Sequence, residues 1–246
     1  MKLKKMTQPH DNWAEFYDFI YENSYGNLYN ELTQKSIQFI TQLNNVKNIF
    51  DFGCGTGRLA VPLAQNDYTV YAFDKSTGML NEVKRKRDEL NLKNLIIQGR
   101  NVDKLAGKID LALAVFTVLN YIVTDSGMDE TISLLAGVLT PNGRVFIDIP
   151  YDNFFLSATI LNIQGNPTRK VWLNEIEDSG VYEYNETCSG NFNGIEFSYS
   201  EHLQIRHWKE AELLEKFNKA GFTKQVNLTK NFPRVNSSYY ILEKEN

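Results

Sequence analysis

Hydrophobic residues recur at helical spacing in the first part of the chain. One stripe contains Trp13, Phe16, Tyr17 and Ile20, and a second contains Leu32, Ser36, Phe39, Ile40 and Leu43. Residues three and four positions apart share one face of a helix, so each stripe predicts an amphipathic helix. Gly26 lies between the stripes and predicts a break. We therefore expect a helical N-terminal arm over residues 1–45.

From residue 46 onward, short apolar runs alternate with helix-like stretches. The runs predict buried strands at residues 46–50, 68–73, 95–97, 109–115 and 144–149. The stretches between them predict helices at 58–65, 77–90 and 129–139, with a turn at 141–143. This alternation is typical of a parallel sheet with helices on both faces. Residues 46–150 are accordingly predicted to form an α/β core.

Residues 151–207 follow a different pattern, in which strands succeed one another without helices. The segments 170–177, 181–187 and 194–206 are strand-like and are separated by Gly, Asn and Asp turns. Such a series predicts an antiparallel meander inserted into the core. A helix at 209–220, ended by Gly221, and strands near 222–228 and 239–242 then return the chain to the core, which resumes over residues 208–246.

Composition and charge narrow the class of protein. The chain has 246 residues, a net charge of −4 and 42% hydrophobic residues, which excludes a wholly disordered protein. The longest nearly apolar run, at 111–123, is too short to span a bilayer, and the basic start lacks the apolar segment of a signal peptide. Cys54 and Cys188 stand alone. We expect a cytoplasmic protein without a membrane or nucleic-acid partner, either a monomer or a homodimer.

The most informative segment joins the first predicted strand to the first core helix. Gly53, Gly55 and Gly57 alternate there in the sequence IFDFGCGTGRLA. Glycine is needed where φ is positive or where a ligand approaches the main chain closely, and the N–H groups of the following helix favour electron-rich ligand atoms. A tight turn without a ligand is the alternative interpretation.

Two acidic residues favour a ligand site over a bare turn. Asp51 lies two residues before the first glycine, where a carboxylate can hold a cationic group. Asp74 follows the second predicted strand, and an acid at that position binds ribose hydroxyls in dinucleotide folds. The nicotinamide fingerprint G-x-G-x-x-G would place glycine at position 58, where this chain has Arg58. A nicotinamide dehydrogenase is therefore disfavoured.

Four segments together resemble the class I S-adenosylmethionine-dependent methyltransferases. Residues 49–60 resemble their glycine-rich first motif and residues 70–80, VYAFDKSTGML, their second. Residues 96–103 occupy the place of the family's third motif, with Arg100 where an aspartate is common, and residues 109–122 match the fourth strand and the loop after it. The resemblance implies a Rossmann-like seven-stranded methyltransferase sheet with helices on both faces.

The resemblance also implies the cofactor, S-adenosyl-L-methionine, and its product S-adenosyl-L-homocysteine. Carried over position by position, the implied cofactor-binding residues are Tyr17, Tyr29, Asp51, Gly53, Cys54, Gly55, Gly57, Asp74, Lys75, Met79, Arg100, Asn101, Val102, Val115, Phe116 and Leu119. Within this set the glycines cradle the methionine part, Asp51 faces its amino end and Asp74 takes the ribose. No compact Asp, Asn and His set of metal-ligand type is visible, so no metal is expected.

The arm and the meander resemble a narrower group. The segments 14–21 and 200–208 are similar to small-molecule N-methyltransferases of the amino-sugar and glycine type, in which a tyrosine-bearing arm and an antiparallel platform close over the substrate. This likeness implies a small-molecule methyl acceptor. The candidate catalytic residues are Tyr21, Asn120, Tyr121 and His202.

The predicted function is methylation of a small polar acceptor, an amine in the first instance. Two alternatives stay open, namely an RNA or protein methyltransferase and a non-catalytic regulatory protein that binds the cofactor. The basic run 84–87 would suit RNA, but on a helix followed by acidic residues it predicts a solvated outer face.

Overall fold

The N-terminal arm consists of short helices laid along the core. In this computed structural model the structure describes residues 8–156, 159–233 and 236–245, so the basic first seven residues lie outside the described chain. The arm begins with a 3-10 helix, Asp11–Phe16, and continues with helices α1 (Tyr17–Tyr25) and α2 (Asn27–Thr41). Gly26, with φ of 53°, separates α1 from α2, which confirms the predicted break.

The α/β core follows in the predicted order of strands and helices. It contains β1 (Asn48–Phe52), α3 (Ala60–Gln65), β2 (Thr69–Phe73), α4 (Thr77–Glu89), β3 (Leu95–Ile97), β4 (Ile109–Ala114), α5 (Asp125–Val138) and β5 (Leu139–Pro150). Helix α5 begins four residues earlier than predicted because Thr124 Oγ1 accepts a hydrogen bond from Gly127 N at 3.1 Å and caps the helix. Asp125, Ser126 and Gly127 in this first turn carry no apolar side chain.

The inserted segment forms a second, four-stranded sheet. After the short helix α6 (Asp152–Leu156) come β6 (Thr159–Ile163), β7 (Thr168–Glu175), β8 (Val181–Phe192) and β9 (Ile195–Arg206). Each strand pairs with the next in antiparallel fashion, which makes the predicted meander. Strand β6 was not predicted from the sequence, because its five residues carry no clear alternation and its pairing with β7 is irregular.

The remaining elements complete the large sheet. They are α7 (Glu210–Lys219), β10 (Lys224–Asn227) and β11 (Ser237–Glu243). The seven-stranded sheet has the order β10-β11-β5-β4-β1-β2-β3, in which β1 to β5 are parallel and β11 runs antiparallel to both its neighbours, β5 and β10. This confirms the predicted Rossmann-like architecture with an added antiparallel platform.

Helices cover both faces of the large sheet. Neighbouring side chains of each strand point to opposite faces, so apolar residues are buried on both sides. On β1, Phe50 packs with residues of α5 and α7, whereas its neighbour Ile49 packs with residues of α2, α3 and α4. Both side chains are fully buried. Among the described residues, no helix combines the length and apolarity that crossing a membrane requires.

A third cluster of buried side chains joins the arm to the meander. Trp13, Phe16 and Tyr21 of the arm pack with Cys188 and Phe197 of the meander. The Phe16 and Phe197 rings stack with centroids 4.6 Å apart. Apolar burial of this kind holds the two added parts together beside the carboxyl edge of the large sheet.

Candidate functional site

A deep cavity lies at the carboxyl edge of the parallel strands, beneath the arm. It contains about 990 Å³ of empty space, part of it open to solvent. Ligands of open α/β sheets bind at this edge. Of the residues predicted from the sequence, those that line the cavity are Tyr17, Tyr29, Asp51, Gly53, Cys54, Gly55, Asp74, Lys75, Met79, Val115, Phe116 and Tyr121.

The glycine loop forms the floor of the cavity. Gly53 has φ of 77°, and a β-carbon there would lie 2.6 Å from the Val118 side chain. Gly55 has φ of 54°, but a β-carbon there would meet no atom within 4 Å. The loop therefore leaves its main chain open at Gly55, as a site for a closely approaching ligand requires. Gly57 does not line the cavity, and it faces Val61 behind the loop.

Asp74 connects the glycine loop to the start of α4. Its Oδ2 accepts a hydrogen bond from Gly55 N at 3.0 Å, and its Oδ1 accepts one from Ser76 N at 2.8 Å. Burial raises the pKa of Asp74, while these backbone donors oppose that rise. A carboxylate has about four lone-pair positions, so Asp74 keeps acceptor capacity toward the cavity.

Asp51 and Arg58 place opposite charges at one end of the cavity. Asp51 is 4% exposed, and its Oδ2 has no hydrogen-bond partner in the protein. Burial raises the pKa of Asp51 to about 7, although the positive charge of Arg58 opposes the shift. An unpartnered buried carboxyl oxygen is costly, and a cationic ligand group would relieve that cost.

Arg58 is held over two aromatic rings. Its guanidinium carbon lies 4.7 Å from the centroid of Phe116 and 5.6 Å from that of Tyr29. Its Nη1 donates to Thr33 Oγ1 at 3.0 Å. One donor edge is thereby fixed while the rest of the fork lies at the cavity wall, an arrangement suited to a ligand carboxylate.

The loop after β4 carries backbone strain beside the cavity. Phe116 has φ of 73° and Thr117 has φ of 65°, both in the left-handed region that non-glycine residues seldom adopt. Asp148 Oδ1 accepts a hydrogen bond from Thr117 N at 3.0 Å and stabilises this conformation. Burial raises the pKa of Asp148 to about 6. Such strain is typical of functional sites.

Two hydrogen-bonded contacts fasten the arm over the cavity. Asp11 Oδ1 accepts from Ser76 Oγ and from Gly78 N, both at 2.8 Å, at the start of α4. Asp18 accepts from Thr56 Oγ1 in the glycine loop and forms an ion pair with Lys86 of α4, each at 2.5 Å. Lys86 thus departs from the predicted solvated face of the basic run, whereas Arg85 stays on it, 52% exposed.

Several predicted residues lie outside the cavity wall. Tyr21 is buried behind Tyr17, with ring centroids 4.1 Å apart. Asn120 is buried and donates to the Arg206 carbonyl oxygen at 2.7 Å, which joins the loop after β4 to β9. Leu119 belongs to the hydrophobic core under the sheet. None of these three lines the cavity, so their assigned roles stay predictions.

The predicted adenine wall also lies apart from the cavity lining. Arg100 and Asn101 are exposed and Val102 is half-buried, and none of the three lines the cavity. Asn101 Oδ1 accepts from Asp103 N at 2.8 Å within its own loop. The binding role of these three residues stays a prediction, and their position outside the cavity lining does not support it.

His202 lies on the opposite face of β9 from the cavity side. Its side chain is 61% exposed and pairs with Asn185 Oδ1 at 2.8 Å. The adjacent Glu201 points the other way, toward His10, because neighbouring side chains of a strand face opposite sides. His10, which lines the cavity, was not among the predicted site residues.

Other lining residues were also missed from the sequence. They are Pro9, Phe52, Thr56, Arg58, Leu59, Phe73, Val118 and Ile122. Phe52, Thr56, Arg58, Leu59 and Phe73 adjoin the predicted loop or strand ends, so proximity in sequence was an available signal. Pro9 and His10 carried none, because only the fold of the arm brings them to the sheet edge.

Thiol reactivity and metal binding also bear on the chemistry of the site. Burial raises the pKa of the Cys54 thiol well above its ordinary value, which keeps it protonated and poorly nucleophilic. Within the described ranges, no three or more His, Cys, Asp or Glu side chains are arranged to hold a metal ion.

Sequence comparisons identify the domain. A family model described as "Methyltransferase domain" matches residues 49–143. The chain is 30% identical to an uncharacterised protein of Haemophilus influenzae over 190 residues, which are 73% of this chain and 69% of that protein. It is 27% identical to a putative methyltransferase of Geobacillus over 142 residues, 57% of each chain.

Solved structures share the whole fold. An S-adenosylmethionine-dependent methyltransferase from Clostridium acetobutylicum is 16% identical with a TM-score of 0.77, covering 97% of this chain and 100% of that one. A sugar N-methyltransferase from Streptoalloteichus is 15% identical with a TM-score of 0.73, covering 100% and 99%. The matched domain shows that the chain is a methyltransferase, and the sheet order and the solved structures show that it has the fold of the class I S-adenosylmethionine-dependent methyltransferases.

Proposed function

We propose that the protein transfers the methyl group of S-adenosylmethionine to an amine nitrogen of a small polar acceptor. The observation that carries the proposal is the cavity itself, where Asp51, Arg58 and Asp74 lie around an open glycine loop. The arm closes over this cavity, and the meander packs against the arm. The sugar N-methyltransferase that shares this fold over the whole chain supports an amine acceptor.

The charges of the cavity fit an amino acid bearing a nucleoside. The unpartnered Asp51 carboxyl oxygen would accept from an ammonium group, and the free edge of Arg58 would donate to a carboxylate. Asp74 would accept from ribose hydroxyls, as the corresponding acid does in dinucleotide folds. When bound, S-adenosylmethionine supplies a methyl group already activated on a sulfonium centre.

The chain's own contribution is to bind, to orient and to exclude water. Tyr17 and Tyr29 of the arm and Phe116 of the loop after β4 line the cavity with aromatic surface. A water-poor enclosure strengthens electrostatic contacts and holds an acceptor near its attack geometry. Asp11 and Asp18 keep the arm closed through their contacts with α4 and the glycine loop.

Calorimetric titration with S-adenosylmethionine and S-adenosylhomocysteine tests the cofactor site. Replacing Asp74 by Ala removes a charged acceptor worth about 1.5–3 kcal/mol, so we expect Kd to rise by about 10- to 100-fold. Asp88→Ala, at an exposed aspartate on α4, is the matched control and should leave Kd unchanged. No binding of either ligand to the parent protein would refute the proposal.

A panel of amines, phenols and carboxylates tests the acceptor. We expect release of S-adenosylhomocysteine only with amines. Turnover restricted to phenols or carboxylates would contradict the amine assignment. Tight cofactor binding without turnover would point to the non-catalytic alternative, and salt-sensitive RNA retention to an RNA substrate.

A further inference from the structure

Three polar side chains from distant parts of the chain converge at the cavity. His10 Nδ1 lies 2.6 Å from Glu201 Oε2, and His10 Nε2 lies 2.9 Å from the Tyr121 hydroxyl. The His10 main-chain N–H also donates to Glu201 Oε1 at 2.5 Å. His10 and Tyr121 both line the cavity.

The arrangement is held firmly. His10 is 8% exposed and adopts φ of 63°, a strained conformation for a non-glycine residue. Glu201 holds both the main chain and the ring of His10, and its side chain is only 13% exposed. Glu201 accepts from the main-chain N–H of His10 and makes a charge contact with the ring, and together these two contacts hold the ring beside the carboxylate.

The contacts also fix the direction of the hydrogen bonds. The negative Glu201 oxygen 2.6 Å from Nδ1 favours the tautomer with the imidazole proton on Nδ1, which leaves a lone pair on Nε2. The Tyr121 hydroxyl then donates to Nε2 and turns its oxygen lone pairs to the cavity. Burial raises the pKa of Tyr121 well above its ordinary value, so this phenol does not ionise by itself.

We infer that Tyr121, His10 and Glu201 form a proton-accepting chain for the methyl acceptor. The inference rests on the proposed function and narrows the acceptor to a molecule whose reacting nitrogen carries a hydrogen. The acceptor nitrogen forms the new N–CH3 bond with its lone pair and becomes an ammonium. An N–H proton of that ammonium then passes to the Tyr121 oxygen as the Tyr121 proton passes to His10 Nε2, and the N–H electron pair becomes the lone pair of the methylated amine. The resulting imidazolium is paired with Glu201, and Tyr121 remains a neutral phenol. Tyr121 is the catalytic residue, while His10 acts through Tyr121 and Glu201 positions His10.

The surroundings of His10 suit this role. Trp13 and Tyr17 pack against the ring with centroids 5.0 and 5.7 Å away, and they bring no charge. Asp74, at the end of β2, interacts electrostatically with His10, and Lys75 beside it lines the same cavity. Glu201 from β9 is the carboxylate in direct contact, so it supplies the main counter-charge for an imidazolium.

Nitrogen-15 NMR tests the arrangement without turnover. The chain has three histidines, which makes assignment by single His→Asn variants practical. We expect neutral His10 to be the tautomer with the proton on Nδ1 and an unprotonated Nε2. Tyr121→Phe should shift the Nε2 resonance by removing its donor. Observation of the tautomer with the proton on Nε2 would overturn the inference.

Kinetics test the role. With an amine that the parent enzyme methylates, Tyr121→Phe and His10→Asn should each lower kcat by about 100-fold, within the range of lost general-base catalysis. Glu201→Gln should move the acidic limb of the kcat/KM profile to lower pH, because the imidazolium loses its counter-charge. Glu183→Gln, at an exposed glutamate of the same sheet, should leave that limb in place.

The outcomes separate the two proposals. A parent enzyme that methylates no amine refutes the proposed function and this role with it. An active parent whose His10→Asn variant keeps its rate and its acidic limb refutes the role alone. Loss of the limb in His202→Asn in place of His10→Asn would likewise overturn the assignment of the proton chain.

Discussion

Arg58 is the central cation of the cavity. Its positive charge lowers the pKa values of Asp51 and Asp148 against the effect of burial, and its guanidinium lies over the Phe116 ring. A lysine at this position could neither stack in this way nor keep Thr33 and a ligand carboxylate on one planar fork. The single residue that argued against a nicotinamide cofactor therefore also shapes the electrostatics of the site.

Asp51 predicts a pH dependence of cofactor affinity. Its pKa is raised to about 7, so it must lose a proton before it can pair with a ligand ammonium group. The affinity for S-adenosylhomocysteine should therefore rise with pH, with Kd about tenfold lower at pH 8 than at pH 6. Calorimetry across this range measures the effect. Asp51→Asn should bind more weakly and lose this dependence, and its persistence would contradict the assignment.

The same residue predicts a stability change in the unliganded protein. Asp51 releases its proton near pH 4 in the unfolded chain but near pH 7 in the folded one, so stability falls between these values and stays lower above pH 7. Asp51→Asn should raise the free energy of unfolding at pH 8 by up to about 4 kcal/mol, and by little at pH 4. Urea unfolding at the two pH values measures this, and equal effects would argue against a buried charge.

At the scale of elements, the site depends on how the arm meets α4. Asp11 accepts from Ser76 and Gly78 at the first turn of that helix, whose N–H groups lack partners within the helix. A β-carbon at Gly78 would overlap the Asp11 carbonyl oxygen, so glycine allows the close approach. The start of α4 and the closure of the arm are consequently coupled.

Asp11→Ala tests this coupling. Loss of the cap should cost about 1 kcal/mol of stability and expose the arm, with faster amide exchange in residues 11–16. Hydrogen-exchange mass spectrometry and urea unfolding provide the two measurements. Asn12→Ala, at the exposed neighbouring position, is the control and should change neither. Unchanged exchange in Asp11→Ala would show that the arm is held by its apolar contacts alone.

At the scale of the whole molecule, a buried ion pair within the meander lies against the arm. Arg169 of β7 and Glu186 of β8 pair at 2.7 Å with side chains 1% and 0% exposed. Tyr184 and Tyr199 donate to Glu186, each at 2.6 Å, and the Arg169 guanidinium carbon lies 4.4 Å from the centroid of the Tyr21 ring. Tyr21 is therefore packed at the junction between the arm and the meander.

Removing one partner of this pair should be strongly destabilising. Arg169→Met leaves the Glu186 charge buried without its cation, and we expect a loss of about 3–5 kcal/mol in the free energy of unfolding. Arg85→Met breaks an exposed pair on α4 and should cost at most about 1 kcal/mol. Chemical unfolding of both variants gives the comparison. Similar small losses in the two would show that water reaches the Glu186 site.

The local sequence determined the sheet, the glycine loop and the acids beside it. Strand and helix patterns arise from residues a few positions apart, and Asp51, Gly55 and Asp74 lie at strand ends whose place in a parallel sheet is fixed by topology. Their positions could therefore be predicted without knowledge of distant contacts. The inserted meander was predictable for the same reason, except for the short strand β6.

Only the tertiary structure decided which side chains meet over the cavity. His10 and Glu201 are 191 residues apart in the sequence. Because neighbouring side chains of a strand face opposite sides, Glu201 of β9 points toward His10 and His202 points to solvent. Lys86 leaves the solvated face of its helix because the folded arm brings Asp18 to it. Such pairings depend on how the arm and the meander pack on the sheet, and packing between distant segments leaves no periodic trace in the sequence.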